Sequence, residues 1–119
     1  MENRQPKIHA FHAHIYYDPE TRKAAARVRE GLARFAVQLG GWHDEPVGPH
    51  PKSMYQAVFP PEEFGRVVPW LMLNRENLDI LVHPETGDNL ADHSAHALWL
   101  GTKIELRLRV FGQTTKSAG

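Results

Sequence analysis

The chain has 119 residues, 41% hydrophobic and 24% charged, with fourteen basic residues balancing fourteen acidic ones. That length suits one domain with a core of its own. A net charge of zero argues against a nucleic-acid partner, which needs an excess of Lys and Arg. The absence of cysteine excludes disulfides, thiolate zinc sites and cysteine nucleophiles.

No apolar run approaches the roughly 20 residues of a membrane-spanning helix. The start "MENRQPK" lacks a signal-peptide core, so a cytoplasmic location with no membrane partner is expected. The unusual count is eight histidines. Histidine is the commonest metal ligand and the usual proton carrier near neutral pH. Any metal site here must therefore use imidazole nitrogen and carboxylate oxygen.

In chain order, Ile8 to Tyr17 reads as a strand. One parity holds Phe11, Ala13, Ile15 and Tyr17; the other holds His12, His14 and Tyr16. Asp18-Pro19-Glu20 supplies a helix start. Ala25, Val28, Leu32, Phe35 and Leu39 follow at helical spacing, and Gly40-Gly41 is the expected end.

Trp42 to Val47 and Ser53 to Phe59 read as a hairpin whose Pro-rich loop carries His50. Pro60-Pro61-Glu62-Glu63 opens a second helix with Phe64, Val67, Val68 and Leu71 on one stripe. Pro69 lies inside that stripe and removes one backbone bond. Leu78 to His83 is a short strand. Asp88 caps a predicted third helix that ends at Gly101, and Ile104, Leu106, Leu108 and Val110 alternate as a last strand. Residues 1–112 are expected to form one domain and 113–119 a loose tail. The tryptophans Trp42, Trp70 and Trp99 are assigned to core or interface.

The order β-α-β-β-α-β, then α-β, is that of an α+β, ferredoxin-like antiparallel sheet with an added C-terminal helix and strand. Two helices would cover one face. The open face would be closed by packing against a second copy, giving a homodimer. In this topology the first and fourth strands are neighbours. With Phe11, Ala13, Ile15, Ile80 and Val82 facing the helices, His12, His14 and His83 must share the far face. His50 can reach it from its loop. On the last helix His93 and His96 are three residues apart. Asp92 is placed to orient one of the histidines. Asp44 and Glu45 are candidate oxygen ligands, and Glu85 reads as an exposed turn residue.

The stretches "FHAHIYYDPETR", "GWHDEPVGPHPKSMYQAVF", "VVPWLMLNR" and "LVHPETGDNLADHSAHALWLG" together resemble the DOPA 4,5-dioxygenase family, from about His12 to Gly101. The H-x-H-x-Y start, the G-P-H-P loop, the L-V-H-P-x-T-G turn and the D-H-x-x-H-A-x-W-L-G helix are specific in combination. The resemblance implies extradiol cleavage of a catechol, DOPA-like, by O2 at non-haem Fe(II), in a dimer of ferredoxin-like domains. About three protein ligands would leave coordination positions open. A further histidine would move protons. Carried onto this chain, His12, His14 and His83 are the metal-ligand candidates. His50 is the acid–base candidate, with a ligand role as its alternative, and His93 lies near substrate. No carboxylate ligand is identified, so an all-histidine site is possible. Two other readings stay open. One is a non-catalytic dimeric protein that binds a small ligand or metal, and the other is a cofactor-free oxygenase using histidine only as a base.

Overall fold

The computed structural model describes residues 5–112. The expected tail, 113–119, lies outside the described residues. Among the described residues a five-stranded antiparallel sheet runs in the order β2-β3-β1-β4-β5. The elements are β1 (Ala10–Tyr17), α1 (Arg22–Leu32), β2 (Gln38–Leu39), β3 (Ser53–Phe59), α2 (Phe64–Asn74), β4 (Ile80–Glu85), α3 (Asn89–Asp92) and β5 (Leu98–Leu100). Short 3-10 turns at Pro19–Thr21 and Pro61–Glu63 lead into α1 and α2. Among the described residues, no helix is long and apolar enough to cross a membrane.

β1 is the central strand, and alternation along it divides the molecule. Ala13, Ile15 and Tyr17 join Tyr55, Ala57 and Phe59 of β3 and Ile80 and Val82 of β4 in the main core. Ala25, Val28 and Leu32 of α1 and Val67, Val68 and Leu71 of α2 complete it. These are the helical stripes expected from their spacing. The opposite parity, His12, His14 and Tyr16, faces away from the helices. There Tyr16, Met54 and Leu81 form a second, smaller apolar cluster. Trp42 and Trp70 pack against the main core, and Trp99 packs on the smaller cluster.

Several boundaries differ from the sequence reading. α1 stops at Leu32, not at Gly40. Tight turns from Ala33, Arg34 and Phe35 back to Arg29, Gly31 and Leu32 break the helix. Phe35 and Leu39 still reach the core, one from the turn and one from β2, so helical spacing there was coincidental. The expected first arm of the hairpin, Trp42 to Val47, makes only isolated bridges, His43 to Met54 and Val47 to His50. The strand that pairs with Val58 and Ala57 is instead Gln38–Leu39.

β4 begins two residues later than expected, because Glu76 and Asn77 occupy the left-handed region and turn the chain before Leu78. It runs on through Pro84, whose missing N–H is harmless because β5 pairs only with Ile80, Leu81 and Val82.

The third helix is a single turn. Asp88 caps it as expected, accepting from Ala91 N at 3.1 Å. Leu98–Leu100, expected inside that helix, is β5, and Gly101 (φ 87°) turns the chain after a strand rather than after a helix. Residues 104–108 alternate in burial but join no strand among the described residues. Ile104 and Leu106 instead lie across the far face, against Tyr16, Met54 and Leu81. That face is therefore partly covered by the chain's own C-terminal segment.

Candidate metal centre

The register of the central strands builds the site. His12 on β1 stands directly opposite His83 on β4, and His14 opposite Leu81. Parity sends His12, His14 and His83 to the same face. His50 arrives from the turn Val47–His50, closed by paired backbone bonds of 3.2 and 2.9 Å. Gly48 at φ 57° supplies the left-handed residue that this turn needs. His93 follows α3 directly.

All five histidines line one cavity of about 270 Å³, together with Gln56 and Glu85. Ring centroids lie 4.9 Å apart for His12–His83, 4.3 Å for His14–His50 and 4.1 Å for His83–His93. Two overlapping groups have ligand atoms close enough to share an ion: His12–His14–His83 and His14–His50–His93.

Backbone and side-chain partners set each ring. Nδ1 of His83 donates to the Pro84 carbonyl at 2.8 Å, which leaves Nε2 as a bare lone pair. Nδ1 of His93 donates to the Asn89 carbonyl at 2.8 Å with the same consequence. Nε2 of His14 faces Nε2 of His83 at 3.0 Å, and Nδ1 of His14 is buried with no hydrogen-bond partner among the described residues. His12 pairs through Nε2 with Glu85 at 3.2 Å. His50 meets the Tyr16 hydroxyl at 2.7 Å through Nδ1.

Electrostatics favour neutral rings. Burial, then the imidazoles of His50 and His83, push His14 well below the ordinary histidine range. Burial lowers His83 to about 3, against a smaller upward pull from the Pro84 carbonyl. Burial and then His93 lower His50 to about 4. His93 is also lowered, chiefly by burial. Near neutral pH these imidazoles are therefore neutral, the protonation state a cation needs.

The donor set fits a metal ion. Two ligands about 2.1 Å from a common ion and at right angles lie about 3 Å apart. The His14 and His83 nitrogens have that spacing. Neutral imidazoles beside carboxylate suit Fe, Zn, Cu or Ni rather than Mg or Ca.

Every histidine assigned to a role by sequence, His12, His14, His50, His83 and His93, lies on this cavity. The carboxylate expectations fare differently. Asp44 turns away to Arg22 (2.9 Å) and the Tyr17 hydroxyl (2.7 Å), on the outer rim of the helix side. Glu45 does not line the cavity. Asp92, nearly fully buried, accepts from the Thr86 N–H at 2.8 Å, the Thr86 hydroxyl at 2.7 Å and His96 at 3.2 Å, so the histidine it orients is His96 and not His93. Burial alone would raise the Asp92 carboxyl, but those donors hold it below its usual value.

Two residues were missed. Glu85 is exposed, as read, but it is the last residue of β4 rather than part of the turn and shares the parity of His83, a signal that was available. Tyr16 was seen on the histidine parity but given no part. Next to the cavity, a recess of about 520 Å³ is lined by His93, Trp99, Lys103, Ile104 and Leu106.

The sequence profile described as the Dopa 4,5-dioxygenase family matches residues 11–110. A protein of Amanita muscaria named DOPA 4,5-dioxygenase is 37% identical over 112 residues, covering 86% of this chain and 49% of its own. An uncharacterised 21.2 kDa protein of Botryotinia fuckeliana is 36% identical, covering 83% of this chain and 61% of its own. The chain thus spans about half to three-fifths of the curated relatives it matches. A crystal structure from Nostoc punctiforme, of a protein provisionally assigned as a dioxygenase, superposes with a TM-score of 0.88 at 58% identity, covering 90% of this chain and 94% of that one.

Proposed function

We propose that this chain, which belongs to the DOPA 4,5-dioxygenase family, is an extradiol-type ring-cleaving dioxygenase that uses non-haem Fe(II) and O2 on a catechol. The observation that carries the reading is the convergence of five imidazoles, three buried and two half-buried, on one cavity. A merely solvated sheet face would not bury His14, His50 and His83 to 3%, 4% and 4% exposure.

In this reading His12, His14 and His83 hold the iron. Bound there, Fe(II) supplies the redox link between catechol and dioxygen. Three ligands leave positions open for both. Glu85 steadies His12 from the rim. His50 and His93, whose ring centroids lie 6.0 Å apart across the cavity, serve the catechol oxygens, His93 as proton acceptor and His50 as N–H donor. The recess beside His93 takes the ring substituent against Trp99 and Leu106. The Amanita relative is named for DOPA, so a DOPA-like catechol is the first substrate to try. A homodimer is part of the proposal and is checked by sedimentation.

Anaerobic reconstitution with Fe(II) tests the site. The wild type and His96→Ala should retain about one iron per chain, while His14→Ala and His83→Ala should not. Iron retained equally by the His12→Ala, His14→Ala and His83→Ala variants would exclude the assignment. Tight metal binding without oxygen uptake under any catechol would favour a metal-binding carrier instead.

A further inference from the structure

We infer that Tyr16 is a positioning residue. By donating its phenolic proton to Nδ1 of His50, it locks His50 in the tautomer that carries hydrogen on Nε2. His50 then offers the cavity an N–H donor rather than a ligand lone pair.

The geometry is specific. The Tyr16 oxygen lies 2.7 Å from His50 Nδ1, and both residues are buried. A buried phenol must place its hydrogen on an acceptor, or lose about 1–3 kcal/mol. Among the described residues, His50 Nδ1 is the partner recorded for that hydroxyl. The reverse arrangement, with Nδ1–H donating to the phenol oxygen, would leave the phenol hydrogen without an acceptor. Nδ1 of His50 therefore accepts. A neutral imidazole has one hydrogen, so it resides on Nε2.

The phenol is held in place by packing. Tyr16 belongs to the apolar cluster with Met54 and Leu81, and Trp99 stacks on it nearly parallel at 6.0 Å. On the other side, the closed turn Val47–His50 fixes the backbone of His50. Neither partner can swing away without breaking one of these contacts.

The backing groups thus sort the histidines. A carbonyl behind His83 and another behind His93 each take the Nδ1 hydrogen and expose a bare Nε2. A phenol behind His50 does the opposite. His14, His50 and His93 have ligand atoms within reach of one another. In this tautomer, however, His50 has no free lone pair for an ion, since Nδ1 accepts from Tyr16 and Nε2 carries the hydrogen. The ion is therefore assigned to His12, His14 and His83. The His50–His93 side becomes the place where a substrate oxygen meets a donor on one hand and an acceptor on the other. A preorganised donor aimed at a developing oxyanion is worth most in a desolvated site.

The catalytic meaning of Tyr16 rests on the proposed dioxygenase function, but the tautomer does not. The test is long-range 1H–15N correlation spectroscopy of the metal-free protein with 15N-labelled histidine. The wild type should show His50 unprotonated at Nδ1 and protonated at Nε2, with His83 and His93 showing the opposite pattern. Tyr16→Phe should shift His50 toward a mixture while leaving the His83 and His93 patterns in place. A wild-type His50 protonated at Nδ1, or a pattern unchanged by Tyr16→Phe, overturns the inference. Because the wild-type spectrum decides by itself, failure of the variant to fold does not shelter the idea.

In iron-loaded protein, Tyr16→Phe should lower kcat about 10- to 100-fold with iron affinity unchanged. If the wild type consumes no oxygen with any catechol, the dioxygenase reading falls while the tautomer result stands.

Discussion

The buried imidazoles make the metal-free protein sensitive to mild acid. His50 titrates near 4 and His83 near 3 in the folded chain, against about 6.5 when unfolded. Burial is the main cause of both shifts. Below about pH 6.5 the unfolded chain takes up protons that the folded chain refuses, so stability falls with pH. The stabilisation from each group is complete above the unfolded value and is lost as pH falls toward the folded one.

Each group costs about 1.4 kcal/mol per pH unit in that window. From pH 7 to pH 5 the loss is about 2 kcal/mol for each, or about 4 kcal/mol together. His14, shifted the same way, adds to it. A domain of this size has about 5–15 kcal/mol in total. With a urea dependence of about 1–3 kcal/mol per molar, the midpoint should fall by roughly 2 M. Urea titrations at pH 7 and pH 5 in chelator, followed by tryptophan fluorescence, measure it. In His50→Gln about 2 kcal/mol of the pH-dependent loss should disappear. Equal midpoints at the two pH values would refute the claim that these rings are buried as neutral bases.

Three substitutions probe the parts that support the site. Asp92→Ala should cost about 2–3 kcal/mol in thermal unfolding, because the N–H and hydroxyl of Thr86 lose their shared acceptor, and it should also lower turnover by loosening the turn before His93. Glu85→Gln should weaken metal binding about tenfold by slackening His12, read by competitive titration with a chromophoric chelator. Gly31→Ala should cost about 1–3 kcal/mol, since a Cβ there meets the Trp70 ring where α1 packs on α2. Its metal stoichiometry should stay that of the wild type.

The face that carries the histidines was legible because apolar residues fix strand parity. Phe11, Ala13 and Ile15 had to face the helices, so His12 and His14 could not. The same alternation placed His83 and, had it been followed two residues further, Glu85. Local turn chemistry was less legible. Phe35 and Leu39 kept a helical period although the chain had already left α1, since a turn and an edge strand reach the same core. The stretch between the Asp88 cap and Gly101 was similarly misleading, since those two signals bracket a one-turn helix and a short strand rather than one helix. Ile104 to Leu108 alternated as a strand should, but alternation reports two unlike sides and not a hydrogen-bonded neighbour. The contact between Tyr16 and His50 joins residues 34 apart through a loop, and no spacing rule predicts it.

The most direct measurement is oxygen uptake by protein reconstituted anaerobically with Fe(II) and then mixed with catechols, DOPA among them. The account predicts one O2 consumed per catechol, a new absorbance from the opened ring, and loss of both in His14→Ala. Oxygen uptake that persists in a strong chelator, or none with any catechol despite bound iron, would contradict it.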